Sequence, residues 1–155
     1  MKIGHTGITW GIPGDVETAY RDTAELGYTS FETFATTILE WNTRPGGYRA
    51  LVERYGIPTS AAYCYKEWID PAKADADLES ARREADAARE IGASALVLQG
   101  GSRPADGLDA DAMNRLAEAL NAIGRTAGRS ASRRRSIPTP GQRSRPARRS
   151  IRSCA

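Results

Sequence analysis

The chain has 155 residues, enough for one domain with a core of its own. Its net charge of +3 hides two unlike parts: residues 1–124 carry 12 Lys/Arg against 19 Asp/Glu, whereas residues 125–155 carry ten Arg and no acid. No apolar run approaches the roughly 18 residues of a membrane span, "MKIGHTGITWG" lacks the apolar core of a signal peptide, and Cys64 and Cys154 have neither C-x-x-C nor metal-ligand spacing. These features favour a cytoplasmic protein with two free thiols and no membrane partner.

In chain order, strands and helices alternate. "KIGHTGITW" is short and β-leaning. After "PGD" a helix is predicted with Val16, Ala19, Tyr20 and Thr23 on one face and Gly27 as its stop. "YTSFETFA" reads as the second strand. A second helix begins after "RPGG", carries Tyr48, Leu51, Val52 and Tyr55, and ends at Gly56. "IPTSAAYCY" is the third strand, and Trp41 and Trp68 fall in the loops after strands two and three. Asp70-Pro71 opens a third helix with an apolar stripe of Leu78, Ala81, Ala85, Ala88 and Ile91, stopped by Gly92. "SALVLQG" is almost wholly apolar, the pattern of a strand covered on both faces. The fourth helix presents Met113, Leu116, Leu120 and Ile123 before Gly124.

The stop glycines at 27, 56, 92 and 124 are spaced as strand-plus-crossover units. Four βα units in a row predict a parallel sheet. No G-x-G-x-x-G follows the first strand, which argues against a nucleotide-binding doubly wound sheet and favours a barrel. A full (βα)8 barrel takes about 250 residues. The predicted fold class is therefore α/β: a partial (βα)8 TIM barrel of four N-terminal βα units, residues 1–124, followed by a disordered Arg-rich tail, residues 125–155.

"GITWG" closing the first strand, "GYTSFETFA", "YGIPTSAAYC" and "GASALVLQGG", in that order and spacing, resemble the xylose isomerase-like TIM barrels. These are the sugar phosphate isomerase/epimerase group, with inosose dehydratases among the nearer relatives. The resemblance covers residues 1–124. It implies isomerisation, epimerisation or dehydration of a sugar or cyclitol by proton abstraction next to a carbonyl, with a divalent metal (Mn, Mg or Co) polarising the oxygens. The family's metal ligands are mostly on later strands, so the resemblance places none of them in this chain.

Barrel sites lie at the C-terminal ends of strands, and this rule selects the candidates. Glu32, late in strand two among apolar residues, needs a partner there: a substrate, or a polar link inside the barrel. Gln99 ends strand four, and its amide suits a sugar hydroxyl. Trp10 is a candidate apolar wall, or plain packing. Alternation puts Tyr63 and Tyr65 on one face and Cys64 on the other. His5, the one histidine, is either a substrate contact or a satisfied core residue. Arg103 is a phosphate contact or a solvated loop charge, and Trp41 and Trp68 are candidates to line or cover the mouth. Together they form no complete acid–base set.

Where a fifth strand is due, "RTAGRSASRRRSIPTPG" offers no apolar run. In a shifted frame, each residue is encoded by the third base of one codon and the first two of the next. The codons around 130–136 then permit "VGVTAAV", and those of 136–151 permit "HPHPGTAVETRPEID", a strand followed by a His-rich loop similar to that of the inosose dehydratase-like barrels. Arg, Ser, Pro, Ala and Gly, which dominate the tail, also dominate wrong-frame reading of GC-rich DNA. The tail is read as a frameshift product and the chain in this form as inactive, with self-association expected through open barrel edges. The alternative is a small α/β binding module whose basic tail contacts nucleic acid, although no aromatic residue is interleaved with the arginines for base stacking. Genomic DNA should continue the barrel in another frame beyond codon 125. If no frame does so, the tail is genuine.

Overall fold

The computed structural model describes residues 3–11 and 14–134. Four parallel strands form one sheet in the order β1 (Gly4–Thr6), β2 (Ser30–Phe34), β3 (Thr59–Tyr65) and β4 (Ala95–Gln99). The helices are α1 (Val16–Glu25), α2 (Ala35–Trp41), α3 (Gly47–Tyr55), α4 (Ala74–Glu90) and α5 (Ala110–Arg134), with a 3₁₀ turn at Gly7–Trp10. No helix among the described residues is long and apolar enough to cross a membrane.

The four predicted strands and the four predicted helices are all present. Asp15 caps α1 by accepting from the Thr18 amide at 3.1 Å, and the buried face of α1 is Val16, Ala19, Tyr20 and Thr23. Gly27, Gly56 and Gly92 follow their helices with positive φ, as stop residues should. The core lies between the helices and the outward face of the sheet, where Phe31, Ala62 and Cys64 are buried. Tyr20 packs on Phe31 with ring centroids 4.5 Å apart, and its hydroxyl hydrogen-bonds Thr59 Oγ1 at 2.8 Å.

Five expectations differ from the structure, the first being that α4 begins at Ala74, after a turn over residues 71–73, and not at Asp70-Pro71. The segment after β2 is a helix, not a loop: α2 buries Ala35 and Ile38 against its neighbours, and Trp41 closes it beneath the Arg44 guanidinium, 3.7 Å from the ring centroid. Strand β4 is covered on one face only: Ala95 and Val97, on the face away from the helices, are exposed. In α5, Ala112 rather than Met113 turns inward, the helix being phased by Asp109, whose carboxylate accepts from the Ala112 amide at 2.7 Å. Gly124 does not stop that helix, which runs on to Arg134 across the expected boundary at residue 124. The remainder of the predicted tail, with Cys154, lies outside the described residues.

The stripe predicted on α4 contains an unexpected member. Glu84 is fully buried beside Ala81 and Ala88, and its Oε1 accepts from Lys66 Nζ at 2.5 Å and from Ser80 Oγ at 3.2 Å. Lys66, just beyond β3, is itself buried. Burial also pushes the neighbouring Cys64 thiol up to about 12, with the Glu84 carboxylate adding to the shift. Breaking one side of such a pair strands a buried charge, whereas replacing both partners with apolar groups removes the problem. Glu84→Ala should therefore lower unfolding free energy by about 3–5 kcal/mol, and the double variant Lys66→Met, Glu84→Leu by much less. Urea unfolding of the two proteins checks this.

Candidate functional site

The inward face of the sheet carries the chemistry. Register pairs Thr6 with Glu32, Phe34 with Tyr63, and Tyr65 with Gln99. Alternation sends these side chains away from the helices. They border a concavity of about 530 Å³, together with Ile8 and Thr36. That size suits a small-molecule ligand, and the lining is mainly apolar with a few convergent polar groups.

Among the described residues Glu32 is the one carboxylate on this lining. It receives a hydrogen bond from Thr6 Oγ1 at 3.5 Å, the long limit of such a contact. Beside Glu32 the ladder is irregular: Phe31 pairs with Thr59 and Glu32 with Ala61, so Ser60 is an extra residue in β3. Its hydroxyl donates to the Phe31 carbonyl at 3.2 Å. Such a bulge changes the aim of the side chains next to it. Across the floor, Tyr63 donates to Gln99 Oε1 at 2.5 Å, and both side chains line the cavity. Phe34 meets Tyr63 edge to face, with centroids 5.7 Å apart.

The expected site residues thus divide. Glu32, Tyr63, Tyr65 and Gln99 are brought together. His5 and Trp10 are not on this lining. His5 points from the opposite face of β1, hydrogen-bonds the Thr6 carbonyl at 2.8 Å, and meets the rings of Trp10 and Tyr28 at 4.9 and 5.0 Å. The Trp10 indole donates to Asp22 of α1 at 3.0 Å. Trp68 is a core residue rather than a mouth residue, 1% exposed, its indole nitrogen donating to the Gln99 carbonyl at 2.5 Å. It anchors the end of β4 from behind. Arg103 is exposed in the loop after β4.

Sequence reading missed Glu67. Its Oε1 accepts from the Tyr65 hydroxyl and from Ser102 Oγ at 2.8 Å, and its Oε2 accepts from the Ser102 amide at 3.0 Å. Its own amide donates to Asp77 of α4 at 2.9 Å. Glu67 thus clamps the loop after β3 to the loop after β4 beside the cavity rim. Gly101 permits the approach: its φ is 89°, and a Cβ there would lie 2.8 Å from the Lys66 carbonyl oxygen. The signal available in sequence was "GGS" opposite a carboxylate one strand away, which only pairing of β3 and β4 reveals.

These donors, the Tyr65 hydroxyl first and Ser102 next, hold the Glu67 carboxyl down at about 2, below its ordinary 4.5. A carboxylate lowered in the folded state contributes stability above its unfolded value and loses it as pH falls toward the folded one. Between pH 4.5 and 2 the thermal midpoint of the chain should fall more steeply than that of Glu67→Gln. Parallel melting curves would refute the clamp.

Among the described residues no group of three or more His, Cys, Asp or Glu is placed to hold a metal ion. Glu32 stands alone on the cavity wall, and Glu67 is occupied by its donors. The residues present do not make a coordination set.

The described architecture matches solved barrels. The 3-keto-D-glucoside 4-epimerase YcjR from E. coli aligns with 84% of this chain and 53% of its own, at 19% identity and a TM-score of 0.67. A sugar phosphate isomerase/epimerase from Parabacteroides distasonis aligns with 83% of this chain and 48% of its own, at 17% identity and a TM-score of 0.59. A fusion protein of a xylose isomerase-like TIM barrel and a 4-hydroxyphenylpyruvate dioxygenase shares 19% identity, with a TM-score of 0.63, over 84% of this chain and 21% of its own. The chain spans about half the length of the two isomerase/epimerase barrels. No curated protein shows a significant sequence match. The sequence signature of the xylose isomerase-like TIM barrel covers residues 20–132, and with strand order and helix placement in agreement, the chain belongs to that family.

Proposed function

We propose that these four βα units are the substrate-contacting N-terminal half of a sugar isomerase or epimerase, with a sugar or cyclitol as ligand. The observation that carries the reading is the concavity at the C-terminal ends of parallel strands, with Glu32 weakly partnered on its wall. Glu32 accepts from a ligand hydroxyl, the Gln99 amide donates to another, and Phe34 and Tyr63 supply apolar faces for the ring's C–H groups. The similarity to a 3-keto-D-glucoside 4-epimerase and to a sugar phosphate isomerase/epimerase supports the same class of ligand.

Proton abstraction next to a carbonyl needs a base, an acid and something to hold the developing oxyanion. Glu32 alone does not provide all three, so this chain by itself binds without turnover. The divalent ion expected of the intact family would supply the oxyanion stabilisation.

Binding of a ketose and of an inosose to the purified chain, followed by ligand-observed NMR, tests the reading. Glu32→Gln and Gln99→Ala should each weaken binding on the order of tenfold, the worth of one good hydrogen bond to a charged or amide group. Binding that neither substitution alters would overturn it.

A further inference from the structure

Three hydroxyls that border the concavity have their protons committed inside the protein. Thr6 gives its proton to Glu32, and Tyr63 gives its own to Gln99 Oε1. The Tyr65 proton goes to Glu67 Oε1 or to Ser102 Oγ, which lies 2.8 Å away. A hydroxyl has one proton to give. Any contact that these three oxygens make with a ligand is therefore as acceptors. An ionised Glu32 accepts and never donates.

Glu32 also lacks a counter-charge. It is half-buried in a mainly apolar wall, and among the described residues no cation pairs with it. The Thr6 hydroxyl, neutral and 3.5 Å away, is a weak partner for a carboxylate. Phe34 stands two residues along β2 on the same face, and Tyr63 meets it edge to face. Aromatic faces attract a cation brought within about 6 Å of the ring. At the rim Glu67 adds a second negative charge, whose hydrogen-bond donors are neutral groups.

One small group answers all of these features. An ammonium carries three donors, no acceptor and a positive charge. A ligand hydroxyl satisfies an acceptor but not the charge. A phosphate dianion has no proton to give and meets lone pairs and like charge. We propose that the group seated against Glu32 is a protonated amine, so that the ligand of this wall is an amino sugar or an aminocyclitol. The proposal deepens the sugar or cyclitol reading and rests on it.

D-Glucosamine, N-acetyl-D-glucosamine and D-glucose present an ammonium, a neutral amide and a hydroxyl at one position of the same ring. Ligand-observed NMR on the full chain at about pH 6, where the amine is charged, should show glucosamine binding on the order of tenfold more tightly than glucose. N-acetylglucosamine should bind no better than glucose. Glu32→Gln should erase the preference and Glu32→Asp should keep it, with circular dichroism verifying that both variants are folded. Glu53→Gln, on the exposed side of α3, should leave it unchanged. A preference that survives Glu32→Gln, or that Glu53→Gln lowers equally, is a general attraction to an acidic surface and overturns the assignment. Glucose binding as tightly as glucosamine overturns the amine and leaves the sugar reading standing. Binding by none of the three overturns both.

Discussion

Parallel pairing of successive strands is the constraint on which the rest depends. Two neighbouring strands can run the same way only if the chain returns to the starting end between them, and a helix is the compact way to return. Here β1 to β4 lie side by side in chain order. The helices cover one face of the sheet, where Phe31, Ala62 and Cys64 are buried. The other face is left to Glu32, Tyr63 and Gln99. All four strands end on the same rim, so loops distant in sequence become neighbours there. Functional geometry follows from chain direction before any particular side chain is considered.

Strand β3 shows how the two faces are coupled. Tyr63 and Tyr65 face the cavity, Cys64 faces the helices, and Lys66 follows on the helix side. The Lys66–Glu84 pair secures the strand's exit against α4. One residue later, Glu67 reaches across to Ser102 and takes the Tyr65 hydroxyl as well. Trp68 then turns back to the Gln99 carbonyl. Four consecutive residues after Cys64 therefore join core, cavity rim and neighbouring strand. A buried ion pair adds little net stability compared with an apolar pair, so its value at this point is positional.

The sheet remains open along β1 and β4 within the described residues, and this explains the burial pattern of β4. An almost wholly apolar strand such as "ALVLQ" is suited to cover on both faces. Here helices shield only one of them, and Val97 on the other is 40% exposed.

What the sequence by itself determined is local. The apolar period of α1, the stops at Gly27, Gly56 and Gly92, and the alternation that placed Tyr63 and Tyr65 together are all legible, because helix phase, positive φ and strand pleat depend on residues a few positions apart. That Glu32 and Gln99 border the concavity was legible because strand ends mark the rim of a parallel sheet. Tertiary structure decided the rest. The β-branched run in "ATTILEW" has little helical preference of its own and becomes α2 where Ala35 and Ile38 can be buried. Glu84 reads as a solvated charge until Lys66 is brought beneath it, and Glu67 as a loop acid until Ser102 arrives from the next unit. His5 and Trp10 stand at a strand end, yet they turn to each other and to α1. In each case the deciding partner lies on another element, and only packing of the elements sets that distance.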